Sequence, residues 1–354
     1  MPQKNQTDPA NRTDTTHLNL TWTGNQFLDA QEQTDLMRSA TEAMDITNRG
    51  DVWSDEVAAA VAARFDLPAP YVRVGAGATQ LIDTLLRGAY QGLVVDVTPN
   101  FHLTATISRQ QGWNYASVPV REPEDLLPSL EPYLDRPEAI IVLCSPRNPL
   151  GYQFPTADIA ALLERARGLV VVDEVYADFA PDTAMRLVSE FPNLVVMRTF
   201  SKAWGLANLR IGFAVSQAFT RDGFPFWLMP NSVSGVAQHT ALRLLAEPAA
   251  VEDSIRRTLE CRERLVVGIA RIDGIRVWHS DANYICLESP HAARIVAELR
   301  AAGYLTRLLH DLKDYPEDWP VGVRISVPRE SEIDAVVKCV AAAHEAGERA
   351  RTTG

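Results

Sequence analysis

Arg198-Thr-Phe-Ser-Lys-Ala-Trp-Gly-Leu-Ala-Asn-Leu-Arg210 is the stretch of this chain with the most specific chemical content. Lys202 comes one residue after Ser201 and three after Thr199, both of which carry hydroxyls, and it precedes Arg210 by eight residues. The two hydroxyls can donate hydrogen bonds to phosphate oxygens, and the guanidinium can add a charge-assisted, bidentate contact. A lysine amine whose pKa is lowered by its surroundings can form a Schiff base with an aldehyde. The stretch therefore predicts a site for a small phosphorylated aldehyde.

Short apolar runs rich in β-branched residues alternate with longer helical patterns along the first two thirds of the chain. The runs are apolar on both faces, which is typical of buried parallel strands, and helical patterns such as Thr79–Ala89 and Thr156–Arg165 lie between several of them. This alternation predicts a doubly wound α/β domain. The predicted strands are Val72–Val74, Leu93–Val97, Ala139–Cys144, Leu169–Val172, Leu194–Arg198 and Ile211–Val215.

Chemically distinctive segments follow these predicted strands. Ligands of an open α/β sheet bind beyond the carboxyl ends of its strands, so segments at those ends are expected to meet in one crevice. Their convergence is a stronger signal than any one motif alone. The segments are Gly75–Gln80, Pro99–His102, Ser145–Gly151, Asp173–Tyr176 and Thr199–Arg210.

The pattern changes after Pro248, where a smaller α+β unit is predicted. Ala249–Ile272 has the pattern of one long, charged amphipathic helix. Predicted strands at Tyr284–Leu287 and Arg324–Val327 and predicted helices at Ala292–Ala302 and Ser331–Ala346 follow it. The predicted divisions are a disordered tail at 1–16, an N-terminal segment of the small domain at 17–45, a large domain at 46–250 and a small C-terminal domain at 251–350.

Composition narrows the class of protein. A net charge of −11 argues against nucleic acid as the main partner. No apolar run approaches the roughly 20 residues of a membrane span, and the N-terminus lacks a signal-peptide pattern. The cysteines show no C-x-x-C pair, which predicts reduced, mostly buried thiols and a cytoplasmic location. They are Cys144, Cys261, Cys286 and Cys339.

Gly75-Ala-Gly-Ala-Thr-Gln80 has two interpretations. A strand, then G-x-G-x-x, then a helix can open a dinucleotide-binding unit, with Asp96 at the end of the next strand. The sixth position is Gln80, however, where that motif has Gly or Ala. The same geometry suits one phosphate at a helix N-terminus. A nicotinamide cofactor would leave the Lys202 stretch unexplained, so the single phosphate is favoured.

The Lys202 stretch resembles the lysine segment of the class I and II aminotransferases of pyridoxal-phosphate fold type I. The likeness is strongest to the histidinol-phosphate aminotransferase branch, whose segment is similar to R-T-x-S-K-A-x-G-L-A-x-x-R, and it extends from about Leu18 to Ala346. The resemblance implies a large, mostly parallel sheet domain plus a small α+β domain. It also implies pyridoxal 5'-phosphate on Lys202 and a homodimer with active sites at the subunit interface.

Two further motifs are implied to hold the cofactor ring. In Val170-Val-Val-Asp-Glu-Val-Tyr176, Asp173 would pair with the protonated pyridine nitrogen and keep the ring able to accept electrons. Tyr176 and, in Ser145-Pro-Arg-Asn-Pro-Leu-Gly151, Asn148 would hydrogen-bond the ring 3-oxygen. A metal site at Asp173 and its neighbour is not predicted, because no His or third carboxylate lies at useful spacing.

The resemblance also implies the remaining contacts. Ala78 and Thr79 match the phosphate cup, together with Thr199, Ser201 and Arg210 named above. Phe101 matches the aromatic ring that stacks on the cofactor. Arg324, in Val323-Arg-Ile-Ser-Val327, would bind the substrate carboxylate alongside Asn148, and Arg307 matches a second substrate-facing arginine.

Two segments depart from the family pattern. Where the branch has L-N-x-N-E-N-P-Y, this chain has His17-Leu-Asn-Leu-Thr-Trp-Thr-Gly-Asn25 and lacks the tyrosine. Where the family has a tyrosine that reaches the cofactor phosphate across the dimer interface, this chain has Asn48-Arg-Gly-Asp-Val-Trp53, so Asp51 or Trp53 is expected in that space. The missing residues belong to the parts of the family pattern that recognise the substrate and the neighbouring subunit. Their absence indicates a specialised amino acid as substrate, and a guanidino-type amino acid is one candidate.

The predicted reaction is amino transfer between an amino acid and a 2-keto acid, with Lys202 as general base and acid. Histidinol-phosphate amino transfer, or decarboxylation, elimination or cyclisation on the same scaffold, are the alternatives, because the cofactor supplies the chemistry and substrate geometry selects the bond that breaks. A non-catalytic regulator would need a recognition segment, and the chain has no basic recognition helix outside the fold.

Overall fold

The structure is a computed structural model. It describes residues 17–42, 44–45, 47–48 and 50–352, except for the side chain of Ala30. The predicted disordered tail at residues 1–16 lies outside the described residues and stays a prediction.

Strands and helices alternate through most of the chain. The strands are β1 Leu18–Asn19, β2 Val72–Gly75, β3 Leu93–Thr98, β4 Tyr115–Pro119, β5 Ala139–Cys144, β6 Leu169–Asp173, β7 Leu194–Thr199, β8 Gly212–Val215, β9 Arg276–Val277, β10 Tyr284–Glu288, β11 Tyr304–Leu305, β12 Arg307–Leu308 and β13 Gly322–Ser326. The α-helices are α1 Ala30–Glu42, α2 Asp55–Arg64, α3 Gly77–Ala89, α4 Leu103–Gln111, α5 Leu126–Leu134, α6 Thr156–Arg165, α7 Gly235–Ala246, α8 Ala249–Ile269, α9 Ala292–Ala301 and α10 Ile333–Thr352.

A seven-stranded sheet in the order β2-β8-β7-β6-β5-β3-β4 forms the centre of the fold. Neighbouring strands from β7 to β4 are parallel, which confirms the predicted doubly wound arrangement. β8 runs antiparallel to both β2 and β7, so the prediction of Ile211–Val215 as a parallel strand is wrong in direction. An apolar run reports burial on two faces, and β8 is fully buried, but burial does not encode direction.

The large sheet is buried on both faces because its side chains alternate. In β5, Ile141 and Leu143 pack in one core cluster, while Ile140 and Val142 pack in another with Leu85 of α3. Full burial of each such aliphatic side chain contributes roughly 1.5–3 kcal/mol. β4 was not predicted. It is an edge strand whose residues are mostly half-buried or exposed, so it lacks a continuous apolar run.

A second, four-stranded sheet has the order β12-β13-β10-β9 and packs with α8, α9 and α10. β1 pairs in parallel with β11, and Leu20 joins the same core cluster as Ile285 and Ile325. The N-terminal segment therefore lies beside the C-terminal third of the chain. The division into domains at about residues 45 and 250 stays a prediction.

All four cysteines are free, and Cys144, Cys261 and Cys286 are buried, in agreement with the prediction. Among the described residues, none of the helices is both long enough and apolar enough to cross a membrane.

Candidate active site

The carboxyl ends of the large sheet open into a cavity of about 950 Å³. Strands of the large sheet supply one wall, and the smaller sheet and the N-terminal segment supply others. Every site residue predicted from the sequence lines this cavity. They are Ala78, Thr79, Phe101, Asn148, Asp173, Tyr176, Thr199, Ser201, Lys202, Arg210, Arg307 and Arg324.

The start of α3 borders the cavity through Ala78 and Thr79. The first-turn N–H groups of a helix have no acceptor within the helix, and the helix dipole adds positive potential there. Gly77 has φ +80°, and a Cβ at this position would lie 2.9 Å from Nη2 of Arg210. The glycine therefore leaves room for the Arg210 guanidinium at the helix end. A helix start beside a guanidinium is an arrangement suited to a phosphate.

Asp173 ends β6 and is 6% exposed. The Val175 backbone N–H donates to its Oδ1 at 3.2 Å. Burial raises the pKa of this carboxyl to about 7, because the charged form loses its hydration. A buried carboxylate that faces a cavity is well suited to a cationic partner in that cavity.

Lys202 follows the end of β7, and burial together with the positive charge of Arg324 lowers the pKa of its amine to about 8. Asp173 acts in the opposite direction but does not cancel these effects. An amine with this pKa has an appreciable neutral fraction at physiological pH, which is the nucleophilic form. The lowered pKa supports the predicted role of Lys202 as the residue that reacts with an aldehyde.

A chain of hydrogen bonds joins Lys202 to the other side of the cavity. Its Nζ donates to Oγ1 of Thr23 at 2.5 Å, and that oxygen lies 3.1 Å from the Tyr176 hydroxyl. Nδ2 of Asn148 donates to the same tyrosine oxygen at 3.4 Å. Burial raises the pKa of Tyr176 to about 12, so the phenol keeps its proton at neutral pH.

Arg324 in β13 completes this chain. Its Nη1 donates to Oδ1 of Asn148 at 2.6 Å, and its Nη2 donates to the backbone oxygen of Thr21 at 2.7 Å. Its buried Nε has no hydrogen-bond partner among the described residues. A guanidinium that lines a cavity fits a carboxylate ligand, which it can bind with two hydrogen bonds. Arg307 lies opposite it in the register of β12 and β13.

Sequence patterns missed several residues of the cavity. Thr23 and its exposed neighbour Trp22 come from the N-terminal segment, to which no site residue was assigned. Thr23 lies 179 residues from Lys202 in sequence, so no local spacing links the two. The wall formed by residues 311–314 also lacked a recognisable motif.

Three other positions considered in the sequence do not line this cavity. Asp51 and Trp53, expected in place of the missing tyrosine, are not among the described residues that line the cavity of their own chain. Glu174, the neighbour of Asp173, forms a buried ion pair with Arg198 at 3.0 Å. The described residues contain no cluster of three or more His, Cys, Asp or Glu side chains suited to a metal ion.

The fold and this site define a pyridoxal-phosphate enzyme of fold type I. The helix start at Gly77 suits the phosphate, Asp173 suits a cationic ring nitrogen, and Lys202 suits the aldehyde carbon. Residues 19–337 match the family model for "Aminotransferase class I and II". The chain therefore belongs to the class I and II aminotransferases, whose cofactor is pyridoxal phosphate.

Individual relatives agree with this assignment. The chain is 30% identical over 240 residues to histidinol-phosphate aminotransferase of Thermoanaerobacter pseudethanolicus, across 66% of this chain and 68% of that protein. It is 30% identical over 256 residues to an aromatic amino acid aminotransferase of Thermobifida fusca, across 70% and 71%. Histidinol-phosphate aminotransferase of Sinorhizobium meliloti, solved in complex with pyridoxal-5'-phosphate, has the same fold, with a TM-score of 0.76 at 22% identity over 94% of this chain and 91% of that chain.

Proposed function

We propose that Lys202 is the catalytic amine of this aminotransferase and that Arg324 binds the carboxylate of its amino-acid and keto-acid substrates. The observation that carries the proposal is the placement of a lysine amine with a pKa of about 8 in one cavity with a buried carboxylate and a buried arginine. A surface lysine would have its ordinary pKa and no such neighbours.

Each protein group has a proposed task. Pyridoxal phosphate, when bound, supplies a ring that withdraws electrons from the substrate Cα. Asp173 keeps the positive charge on the ring nitrogen, and the Tyr176 and Asn148 side chains hydrogen-bond the ring oxygen. Arg324 orients the substrate through its carboxylate. The Lys202 amine would take the proton from the substrate Cα as general base and, as general acid, give it up on the far side of the substrate nitrogen.

The phosphate has its own proposed contacts. The backbone N–H groups of Ala78 and Thr79 and the guanidinium of Arg210 would hold it at the start of α3. Thr199 Oγ1 donates to Ser201 Oγ at 3.0 Å, so the two hydroxyls that are proposed to complete the cup are already held together. The Phe101 ring, 44% exposed at the cavity, is proposed to stack on the cofactor ring.

The substrate side chain is proposed to face the wall that includes residues 311–314. This wall carries charges of both signs. A guanidino-type side chain would find the carboxylates of Asp311 and Asp314, whereas a phosphate-bearing one would find Arg307 and Lys313. The relatives are named for histidinol phosphate or for aromatic amino acids. The altered N-terminal segment of this chain favours a specialised amino acid as its substrate.

The enzyme is also proposed to work as a homodimer. Large apolar side chains are exposed around one region next to α3, where the Asn231 backbone N–H donates to the Val52 oxygen at 2.9 Å. Trp53, Trp227 and Met229 are 51%, 65% and 59% exposed. Exposed apolar surface of this kind is typical of a protein interface. A second copy would cover it and bring its own Trp53 to a neighbouring cavity.

A panel of amino acids tests the proposed function. Purified protein loaded with pyridoxal phosphate is mixed with arginine-type, aromatic and other amino acids and with histidinol phosphate, and its visible absorption band is followed. We expect a true substrate to bleach the band and to release one keto acid per site, which separates amino transfer from decarboxylation or elimination.

Lys202→Ala is the decisive variant in that experiment. We expect it to lose at least a thousandfold in turnover, because general acid–base and nucleophilic contributions are both removed. Lys313→Ala, at another lysine of the same cavity, serves as the matched variant and is expected to alter substrate preference only. Turnover by Lys202→Ala at the wild-type rate would show that the central assignment is wrong.

A further inference from the structure

Thr23 lies at the centre of the hydrogen-bonded chain in the cavity. Its side chain is 4% exposed, and its Oγ1 is within hydrogen-bonding distance of both Lys202 Nζ (2.5 Å) and the Tyr176 hydroxyl (3.1 Å). These are two groups to which the proposed function gives a task. Among the described residues this hydroxyl links the amine to the phenol oxygen by hydrogen bonds, while Lys202 Nζ also lies 5.3 Å from the centroid of the Tyr176 ring. Removal of the hydroxyl would therefore break the hydrogen-bonded link between the amine and the phenol.

Counting protons limits the directions of these hydrogen bonds, and either hydroxyl can be the donor between Thr23 and Tyr176. A lysine ammonium can only donate, so Thr23 Oγ1 accepts from Lys202. Asn148 Nδ2 donates to the Tyr176 oxygen. The one proton of Thr23 is then free to go to the Tyr176 oxygen as well, which leaves the proton of Tyr176 for a ligand in the cavity. With the reverse polarity, the phenol would donate to Thr23 and could not donate to a ligand.

The backbone that carries this hydroxyl is fixed on several sides. Asn283, which is 2% exposed, donates through Nδ2 to the backbone oxygens of Thr23 at 2.9 Å and Gly24 at 3.3 Å. The Ser326 backbone N–H donates to the Leu20 oxygen at 3.1 Å. The N-terminal segment is thus tied to the smaller sheet on either side of the threonine. A hydroxyl on such a support has a defined position, which a positioning role requires.

We propose that Thr23 is a positioning residue, which receives the Lys202 amine whenever that amine is not bonded to the cofactor and directs the Tyr176 proton into the cavity. The proposal rests on the proposed function, since it gives the amine two alternating positions. It also gives a task to the segment from His17 to Asn25, where this chain departs from the pattern of its family.

The charge state of the Lys202 amine provides the test, because an acceptor stabilises the ammonium more than the amine. Other groups also act on that amine and are unchanged by substitution of the threonine. They are Asp173, Arg324, Cys144 and Arg210. Full-length protein stripped of cofactor is labelled with trace acetic anhydride between pH 6 and 10. The acetylated Lys202 peptide is then quantified by mass spectrometry.

Thr23→Val keeps the shape of the side chain and removes the hydroxyl. We expect the pKa of Lys202 to fall by about one unit from its value of about 8, and its labelling at pH 7 to rise about fivefold, as the neutral fraction of the amine does. Thr23→Ser keeps the hydroxyl and should match the wild-type profile. Thr240→Val is the control, because Thr240 is a buried threonine of α7 whose Oγ1 donates to the Val236 carbonyl oxygen at 2.7 Å. It should leave the Lys202 profile unchanged.

A wild-type Lys202 profile in folded Thr23→Val would overturn the proposal. If circular dichroism shows that this variant does not fold, Thr23→Ala compared with Thr23→Ser decides instead, and equal profiles for these two would have the same meaning. The labelling needs neither cofactor nor substrate, so it separates a failure here from a failure of the proposed function. In loaded enzyme, Thr23→Val should lower kcat about tenfold with little change in KM, and Thr23→Ser should restore it.

Discussion

At the scale of single residues, Asp173 combines a cost in stability with a proposed role in cofactor binding. Its pKa of about 7 in the folded chain compares with an ordinary value of 3.8, so the folded state holds a proton that the unfolded state has lost between these pH values. Stability therefore falls as the pH rises through this window and is lowest above pH 7. A cationic ring nitrogen would offset that cost when the cofactor binds.

Asp173→Asn is expected to separate the two effects. Without cofactor, the variant should be more stable than wild type at pH 8 by on the order of 2–4 kcal/mol, and by less at pH 5. With cofactor, its turnover should fall about 100-fold or more, because the ring nitrogen loses its charged partner. Urea unfolding at the two pH values and steady-state assays measure these effects. Equal stability of the two proteins at pH 8 would mean that the carboxyl is not buried in its charged form.

Where a motif surrounds a residue, the sequence was enough to name it as a candidate. Lys202, Asp173 and Asn148 were named because the residues around each one match a family pattern, and the structure brings all three to one cavity. Thr23 could not be found this way. Its contacts come from residues far away in the chain, and a threonine between Trp22 and Gly24 has no local signature.

At the scale of elements, the backbone conformation at the start of α3 determines whether Arg210 can lie beside the helix end. Gly77 has φ +80°, a conformation that costs other residues about 1–3 kcal/mol, and its missing side chain leaves the space that Arg210 occupies. Gly112, at the end of α4, has φ +64°, and a Cβ added there would have no neighbour within 4 Å, so it shares the strain without the contact. The two glycines form a matched pair.

Gly77→Ala is expected to weaken the binding of pyridoxal phosphate tenfold or more, because the added methyl group displaces the Arg210 guanidinium from the helix end. The affinity for pyridoxal, which lacks the phosphate, should change little. Gly112→Ala should lose similar stability and keep its affinity for both. Fluorescence titration measures all four affinities, and equal effects of the two substitutions on pyridoxal phosphate would contradict a phosphate site at α3.

Among the elements, sequence patterns predicted the buried central strands and the long helices but not every direction or edge. β8 was placed correctly as a buried strand, yet its direction depends on the connection from β7, which returns without a crossover helix. The short strands β11 and β12 have two residues each, too few for a periodic pattern. Strand direction and very short strands depend on tertiary pairing, so local sequence patterns did not predict them.

At the scale of the whole molecule, the exposed apolar side chains of Trp53, Trp227 and Met229 form the surface that is proposed to meet a second copy. Lys202, Asp173 and the start of α3 of one chain lie at the same cavity. The residues at the position of the missing cross-subunit tyrosine remain outside that cavity. The sequence alone does not reveal such a surface. An apolar residue such as tryptophan can be buried or exposed, and only the fold shows which of the two it is.

Trp227→Glu tests the proposed homodimer. Because Trp227 is 65% exposed, the charge should cost the folded monomer little, but it would be buried without a partner at a subunit interface. We expect the dimer dissociation constant, measured by sedimentation velocity, to rise about 30-fold or more. Val267→Glu is the control, since Val267 lies on α8 and is 41% exposed. Wild-type protein that sediments as a monomer at micromolar concentration, or a Trp227→Glu dimer of unchanged affinity, would remove this surface as the subunit interface.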